Sequence, residues 1–284
     1  MQIAGIQKLT LVDFPGHVAA TVFTRGCSFR CGFCHNPELV LPEKFNPLLS
    51  EAQIFEFLES RYGKLTGICI TGGEPLMNSD ADKFISHLRA LGFDVKLDTN
   101  GSFPDRLEKI IKDGDVDYIA MDIKNSLSKY AQTVIPNSKF STDPSASLGM
   151  TEKLSISNQI TNSNSQVKNV IPSHSEPAVG RIEEGEKSQH SEEKLLANVK
   201  RSIKLILDSE VDYEFRTTVS HPIHDLADFE EMGKMIEGAK RFFLQNYKKS
   251  KRINEKIEYE PFTDDELEKA KKIMEKYVRE VGIR

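Results

Sequence analysis

The 284-residue chain has only four cysteines, and none follows Cys69. Three of the four are clustered, which fits a reducing cytoplasm better than a disulfide-stapled secreted fold. No apolar run approaches the ~18 residues of a membrane span. The start, Met1-Gln-Ile-Ala-Gly5, lacks a basic stretch followed by an apolar one, so no signal peptide is read there. An excess of positive charge is missing too. Lys and Arg number 38 against 43 Asp and Glu, a net charge of −5, which gives no support for nucleic-acid or anionic-membrane binding. Apolar residues make up 38%, below the globular norm, so part of the chain is expected to lie outside any core.

What is present centres on Cys27-Ser-Phe-Arg-Cys31-Gly-Phe-Cys34, spaced C-x3-C-x2-C. Deprotonated thiolates are metal ligands, and three on one short loop can close around one metal centre. A [4Fe–4S] cluster held by three cysteines keeps one iron without a protein ligand, and an open position marks a reacting site. Phe33, inside the motif, could pack on such a cluster. A zinc knuckle completed by His35 is the alternative, although adjacent Cys and His rarely point at one metal from one loop. A disulfide would leave one thiol over. Cys69 lies in an apolar run and reads as a core residue. The histidines show no ligand spacing, and solvated or capping roles suffice for them.

Along the chain, strands are expected at residues 17–24, 67–71, 93–97, 116–120, 213–219 and 241–245, with a short last one at 281–284. Between them fall helical patterns. Ser50-Glu-Ala-Gln53 and Thr263-Asp-Asp-Glu266 are capping boxes, and Pro104 suits a first turn. Helical periodicity also marks residues 79–91, 193–207 and 226–237. From 137 to 167 it fails: eight Ser and four Asn fall in 31 residues. Such composition cannot bury enough apolar surface to offset its ordering entropy. Residues 132–192 are therefore expected to be a disordered, low-complexity insertion, with 1–131 and 193–284 forming one domain. An ordinary flexible linker fits the same composition.

Alternating strands and helices imply a parallel sheet with helical crossovers. Setting the insertion aside leaves less than the roughly 250 residues of a complete eight-unit barrel. The expectation is α/β: an open six-unit (βα)6 partial barrel. Sites in such folds gather at the carboxyl ends of strands, where the distinctive motifs fall. The cysteine loop follows strand one, Gly72-Gly-Glu-Pro75 strand two, Asp98-Thr-Asn-Gly101 strand three, Met121-Asp-Ile-Lys124 strand four, and Arg216-Thr-Thr-Val219 lies on strand five. Each alone reads as a turn or a solvated charge pair. Five on one rim are hard to attribute to turns.

The C-x3-C-x-aromatic-C loop after a first strand resembles the radical S-adenosylmethionine (SAM) enzymes. Gly5-Ile-Gln-Lys-Leu-Thr-Leu-Val-Asp-Phe-Pro-Gly16, running on to Cys34-His-Asn-Pro-Glu38, resembles the activating proteins of anaerobic ribonucleoside-triphosphate reductase. It is less closely similar to pyruvate formate-lyase activating enzymes. The resemblance covers residues 1 to about 130 and about 193 to 284. It implies a radical SAM-type partial barrel, a [4Fe–4S] cluster on Cys27, Cys31 and Cys34, and SAM as cosubstrate. By the same resemblance Gly72, Gly73 and Glu74 hold the methionyl end of SAM, and Lys124 contacts SAM. Arg216 and Thr218 would line its nucleoside side. Asp98, Thr99 and Asp122 match positions that hold a monovalent cation. Where those relatives place a histidine near the adenine, this chain has Gln245, Asn246 and Tyr247. The implied activity is reductive cleavage of SAM and formation of a glycyl radical on a partner, the anaerobic reductase. A flavodoxin- or ferredoxin-type protein would donate the electron. Activation of pyruvate formate-lyase, radical chemistry on a small molecule, and a zinc-stabilised binding protein are the alternatives. The lack of cysteines between 34 and 69 and beyond 69 sets the chain apart from activases with ferredoxin-like inserts and from relatives with C-terminal auxiliary clusters.

Overall fold

The computed structural model describes residues 1–135, 184–249 and 251–284, and for 184–190 the backbone alone. Eight strands form one open sheet in sequential order. β1 (Ile3–Thr10) pairs antiparallel with β2 (Ala19–Thr24), and every later pairing is parallel. After β2 come the cysteine loop, a single helical turn α1 (Pro37–Val40) and α2 (Glu51–Glu59). The Ser50 box caps α2 as its sequence predicts, with Ser50 and Gln53 satisfying each other's backbone amides. Then follow β3 (Gly67–Gly72), α3 (Ala81–Ala90), β4 (Asp94–Thr99), α4 (Pro104–Asp113), β5 (Tyr118–Asp122) and α5 (Leu127–Val134). The second half runs α6 (Glu184–Leu207), β6 (Asp212–Val219), α7 (Leu226–Met235), β7 (Arg241–Asn246), α8 (Asp264–Met274) and β8 (Glu280–Ile283). The open α/β barrel expected from the sequence is thus present, with β8 and β1 as its two edges.

Two elements were not anticipated. β1 buries only its end residues, Ile3 and Thr10, and exposes Gln7, Lys8 and Leu9, so it carries no alternating core face to read. α5 buries Tyr130, Thr133 and Val134, a stripe with two polar groups. The Val134 carbonyl accepts a 2.8 Å bond from the Arg30 amide inside the cysteine loop. Residues 132–135 therefore belong to the barrel and not to the expected insertion. Residues 184–192 are the first turns of α6, and 136–183 lie outside the described residues.

Helices pack on the outer face, where Ile54, Leu58, Phe84, Leu88, Leu107, Ile203, Ile206, Phe229 and Met274 meet the strands. The inner face is polar. Thr21 donates to Asp13 at 2.7 Å, Tyr118 to Glu214 at 2.8 Å, and Arg284 grips both Glu214 oxygens at 2.9 Å. Phe14 packs against Tyr118, Ala19 and Ala120 and closes the end away from the rim. No helix among the described residues is long and apolar enough to cross a membrane.

Candidate active site

The rim forms where β2 to β6 end. Cys27, Cys31, Phe33, Cys34, Gly72, Gly73, Asp98, Thr99, Asp122, Lys124, Arg216 and Thr218 line one pocket of about 200 Å3. The parallel register brings these distant residues together: Thr24 sits beside Gly72, Thr99 beside Met121, and Asp122 beside Arg216.

The cysteine loop is fixed from several sides. The Gly26 amide donates to the Leu39 carbonyl at 2.7 Å and that of Cys34 to the Cys31 carbonyl at 3.0 Å. The Phe29 amide and the Asn100 side chain point at Cys27 Sγ, at 3.4 and 3.6 Å. Burial pushes the Cys27 and Cys31 thiols up to about 12 and raises Cys34 as well, while Lys124 works the other way on the last two. Buried thiols of this kind ionise readily only when a bound cationic body compensates them. Among the described residues no three Cys, His, Asp or Glu side chains converge closely enough for a single metal ion. Three thiols spread around one pocket suit a multi-iron body better than a zinc ion, so the donor set fits a [4Fe–4S] cluster.

Gly72 and Gly73 are required by the backbone itself. A Cβ on Gly73 would lie 1.9 Å from the Gly26 carbonyl oxygen, and one on Gly72, whose φ is +115°, would lie 2.5 Å from the Thr24 amide nitrogen. The amides of Gly73 and Glu74 donate to Thr24 and Gly26 at 2.9 and 2.8 Å. Glu74 turns away from the pocket and is fully buried. It accepts from the Asn100 amide at 2.7 Å, the Thr99 hydroxyl at 2.9 Å and the Leu76 amide at 3.1 Å. Burial pushes its carboxyl up to about 7 against those three bonds. Its side chain thus ties β3 to β4.

The acidic pair is already compensated. Arg216 Nη2 lies 3.0 Å from Asp98 and 3.2 Å from Asp122, Lys96 binds Asp98, and Lys124 Nζ is 3.5 Å from Asp122. Burial alone would raise Asp98, but Arg216 and Lys96 outweigh it and hold its carboxyl down to about 2. Asp122 is lowered likewise, burial being outweighed by Arg216 and Lys124. The Thr99 hydroxyl is spent on Glu74. The Arg216 guanidinium places positive charge between the two carboxylates for which the resemblance implies a monovalent cation.

Several contributors escaped the sequence. Asn100 links Cys27 to the Ser102 amide, 3.0 Å from its Oδ1. His224, expected to be solvated or capping, is buried. Its Nε2 is 3.0 Å from the Lys124 carbonyl, and the Ser220 amide is 3.4 Å from its Nδ1. His35 lines the pocket, its ring 5.3 Å from that of Tyr247. Gln245, Asn246 and Tyr247 do not line it. Asn246 instead exchanges two hydrogen bonds with the Phe262 backbone, at 2.8 and 2.9 Å. Cys69 is buried inside the barrel, 3.7 Å from Lys96 Nζ, and does not reach the pocket.

Known proteins resemble this chain in sequence and fold. The profile of the Radical SAM superfamily matches residues 21–140. A Methanocaldococcus jannaschii protein assigned by name to the glycyl-radical enzyme activating enzymes is 25% identical over 99% of this chain and 95% of its own length. The pyruvate formate-lyase-activating enzyme of Listeria monocytogenes is 30% identical over 43% of this chain, a match spanning 53% of that enzyme. Among solved structures, Streptococcus suis SuiB bound to S-adenosylmethionine superposes with a TM-score of 0.55 at 11% identity, over 91% of this chain and 48% of SuiB, and shares the fold. Residues 21–140 thus form a domain of the radical SAM superfamily, whose enzymes use a [4Fe–4S] cluster and S-adenosylmethionine.

Proposed function

We propose that the protein is a glycyl-radical-enzyme activase whose partner is an anaerobic ribonucleoside-triphosphate reductase. The observation that carries the activase reading is the convergence of three thiols, a paired-glycine backbone and a compensated Asp98–Arg216–Asp122 group on one pocket. Similarity along nearly the whole chain to a protein named as an activase supports it. Likeness of residues 5–16 and 34–38 to the reductase activators favours the reductase as partner.

When bound, a cluster reduced by an external donor and SAM would supply the one-electron radical chemistry needed to take a hydrogen atom from a glycine Cα. The protein's own residues do the positioning. Cys27, Cys31 and Cys34 hold the cluster, Lys124 offers a cationic donor to SAM, and Arg216, braced between Asp98 and Asp122, lines the nucleoside side. Phe33, buried beside them, excludes water from the cluster. Thr218 lines the same wall. A cytoplasmic setting and a flavodoxin- or ferredoxin-type donor belong to the same proposal.

The test is anaerobic reconstitution followed by mixing with SAM, a reductant and the reductase. About four irons per chain and a glycyl-radical EPR doublet on the reductase are expected. A doublet only with pyruvate formate-lyase would move the assignment to that second reading, which the Listeria similarity favours. Stoichiometric zinc without iron would end both.

A further inference from the structure

The segment between β7 and α8 contributes nothing to the pocket, yet it is bound to the cysteine loop. The amides of Ile253 and Asn254 both donate to the Gly32 carbonyl at 3.0 Å. The Tyr259 hydroxyl lies so close over Gly32 that a Cβ there would meet it at 2.0 Å. The same ring meets Phe33 edge-on at 6.1 Å. The segment is anchored at both ends: the Tyr247 amide donates to the Val219 carbonyl at 3.0 Å, and Glu260 pairs with His221. It is a strap held by backbone against the loop between Cys31 and Cys34.

Its outer face is basic. Between its anchors at 247 and 260 the strap carries Lys248, Lys249, Lys251, Arg252 and Lys256 against Glu255, Glu258 and Glu260, in a chain of net charge −5. Lys249 and Lys251 reach Glu260 and Glu38 at 2.6 and 3.6 Å while their side chains stay 65% and 75% exposed. Exposed pairs of this kind are weak, so an incoming anionic surface can re-pair them.

The strap also faces away from the SAM pocket. Arg30, Gly32, Lys129, Ile253, Lys256 and Tyr259 line a separate cavity of about 660 Å3, to which Gly72, Gly73, Asp98, Asp122 and Arg216 contribute nothing. A partner seated there reaches the cysteine loop without occupying the pocket that Gly72, Gly73, Asp98, Asp122 and Arg216 line. Reductive cleavage consumes one electron per event, which must arrive from outside the chain.

We propose that the strap is the docking surface for a small acidic electron-carrier protein, which delivers its electron across the Gly32–Tyr259 edge. The carrier is oxidised by one electron and the cluster is reduced by one, with no bond or proton transferred. This rests on the radical SAM reading and is independent of which glycyl-radical enzyme is the partner.

The test follows cluster reduction in the holoprotein by anaerobic stopped-flow absorbance, with an acidic flavodoxin hydroquinone or with dithionite, and measures flavodoxin binding directly. Replacing Lys248, Lys249 and Lys251 together by Glu should slow flavodoxin reduction and weaken binding at least ~10-fold, because rim charges govern encounter rates. The corresponding Gln variant should fall between. Raising salt should slow the parent towards the Glu variant. Dithionite reduction should stay within ~2-fold of the parent in every variant, which shows that fold and cluster survive. Equal flavodoxin rates in parent and Glu variant would overturn the proposal. So would a dithionite-driven loss of glycyl-radical formation in the variant, which would assign the strap to the substrate enzyme. A parent that dithionite cannot reduce would instead refute the cluster itself.

Discussion

Replacing Gly73 by Ala should destabilise the protein even when no cofactor is bound. The added Cβ would stand 1.9 Å from the Gly26 carbonyl oxygen and 2.7 Å from its carbon, both backbone atoms that cannot rotate away. Real Cβ atoms do not approach within 3.0 Å, so the ends of β2 and β3 must part by about 1 Å. Two bonds cross that junction, Gly73 to Thr24 at 2.9 Å and Glu74 to Gly26 at 2.8 Å, and the same displacement breaks both. Each buried amide left without its acceptor costs roughly 1–3 kcal/mol. The smaller entropy of the unfolded alanine chain returns about 0.4–1 kcal/mol. A net loss of roughly 1–5 kcal/mol is expected from a typical total of about 5–15. Urea unfolding of the cluster-free protein under reducing conditions measures it. Gly5→Ala is the control, since a Cβ there meets nothing within 4 Å, and it should leave stability unchanged or raise it by up to ~1 kcal/mol. Cluster loading of the Gly73→Ala variant should fall too, because Gly26 immediately precedes Cys27. If apo stability is unchanged while SAM binding is lost, the glycine serves the ligand alone and the backbone argument is wrong.

Arg216→Ala removes the cation shared by Asp98 and Asp122, and breaking a buried pair typically costs about 3–5 kcal/mol. Calorimetric SAM affinity should fall at least tenfold and recover partly with added potassium, and potassium-insensitive loss would argue against a charge role. His224 is held down to about 4 by burial, so the folded state binds fewer protons than the unfolded between pH 4 and 6.5. Its contribution is complete above pH 6.5 and is lost as pH falls through 4, about 3 kcal/mol in all. His224→Gln should lose less stability than the parent across that window, and identical acid profiles would refute the assignment. Exchanging residues 137–182 for a short Gly/Ser linker should keep cluster content, whereas a deletion beginning at 132 should lower it by removing Val134, whose carbonyl holds the Arg30 amide.

The strands β2 to β6 were legible because each apolar run is closed by a distinctive rim motif. The Ser50 and Thr263 capping boxes were legible because the side chains that cap are named by their spacing. β1 was hidden because an antiparallel edge strand with exposed Gln7 and Lys8 needs no alternating pattern. α5 was hidden because its buried stripe includes Thr133 and it runs directly into the serine-bearing stretch. At the site, spacing identified which residues reach the rim but not where their side chains turn. Glu74 sits in a motif that suggests a ligand contact, and the tight turn after Gly73 directs it sideways into β4. His224 is a lone histidine whose value lies wholly in a tertiary contact, and no local pattern signals that. Arg216 was legible as a rim residue. Its place between two carboxylates required the parallel register that sets Asp122 beside it and Asp98 one strand further on.

These contacts share a mechanical logic. An open sheet lacks the closing strand pair that fixes the rim of a complete barrel, so its strand ends could splay. Here side chains bridge them in turn. Glu74 joins β3 to β4, Asn100 joins the end of β4 to Cys27, and Arg216 joins β6 to both β4 and β5. His224 joins the turn after β6 to Lys124, and the strap joins β7 and α8 to Gly32. Each bridge ends on a residue that lines the pocket or immediately adjoins one. The Arg216 guanidinium holds three strand ends in place and, with Lys96 and Lys124, compensates Asp98 and Asp122. Preorganisation of this kind stabilises developing charge without reorganisation at the moment of reaction. It also places the cluster loop and the SAM-facing loops on a single braced unit, so a displacement at any one bridge moves the geometry of the others.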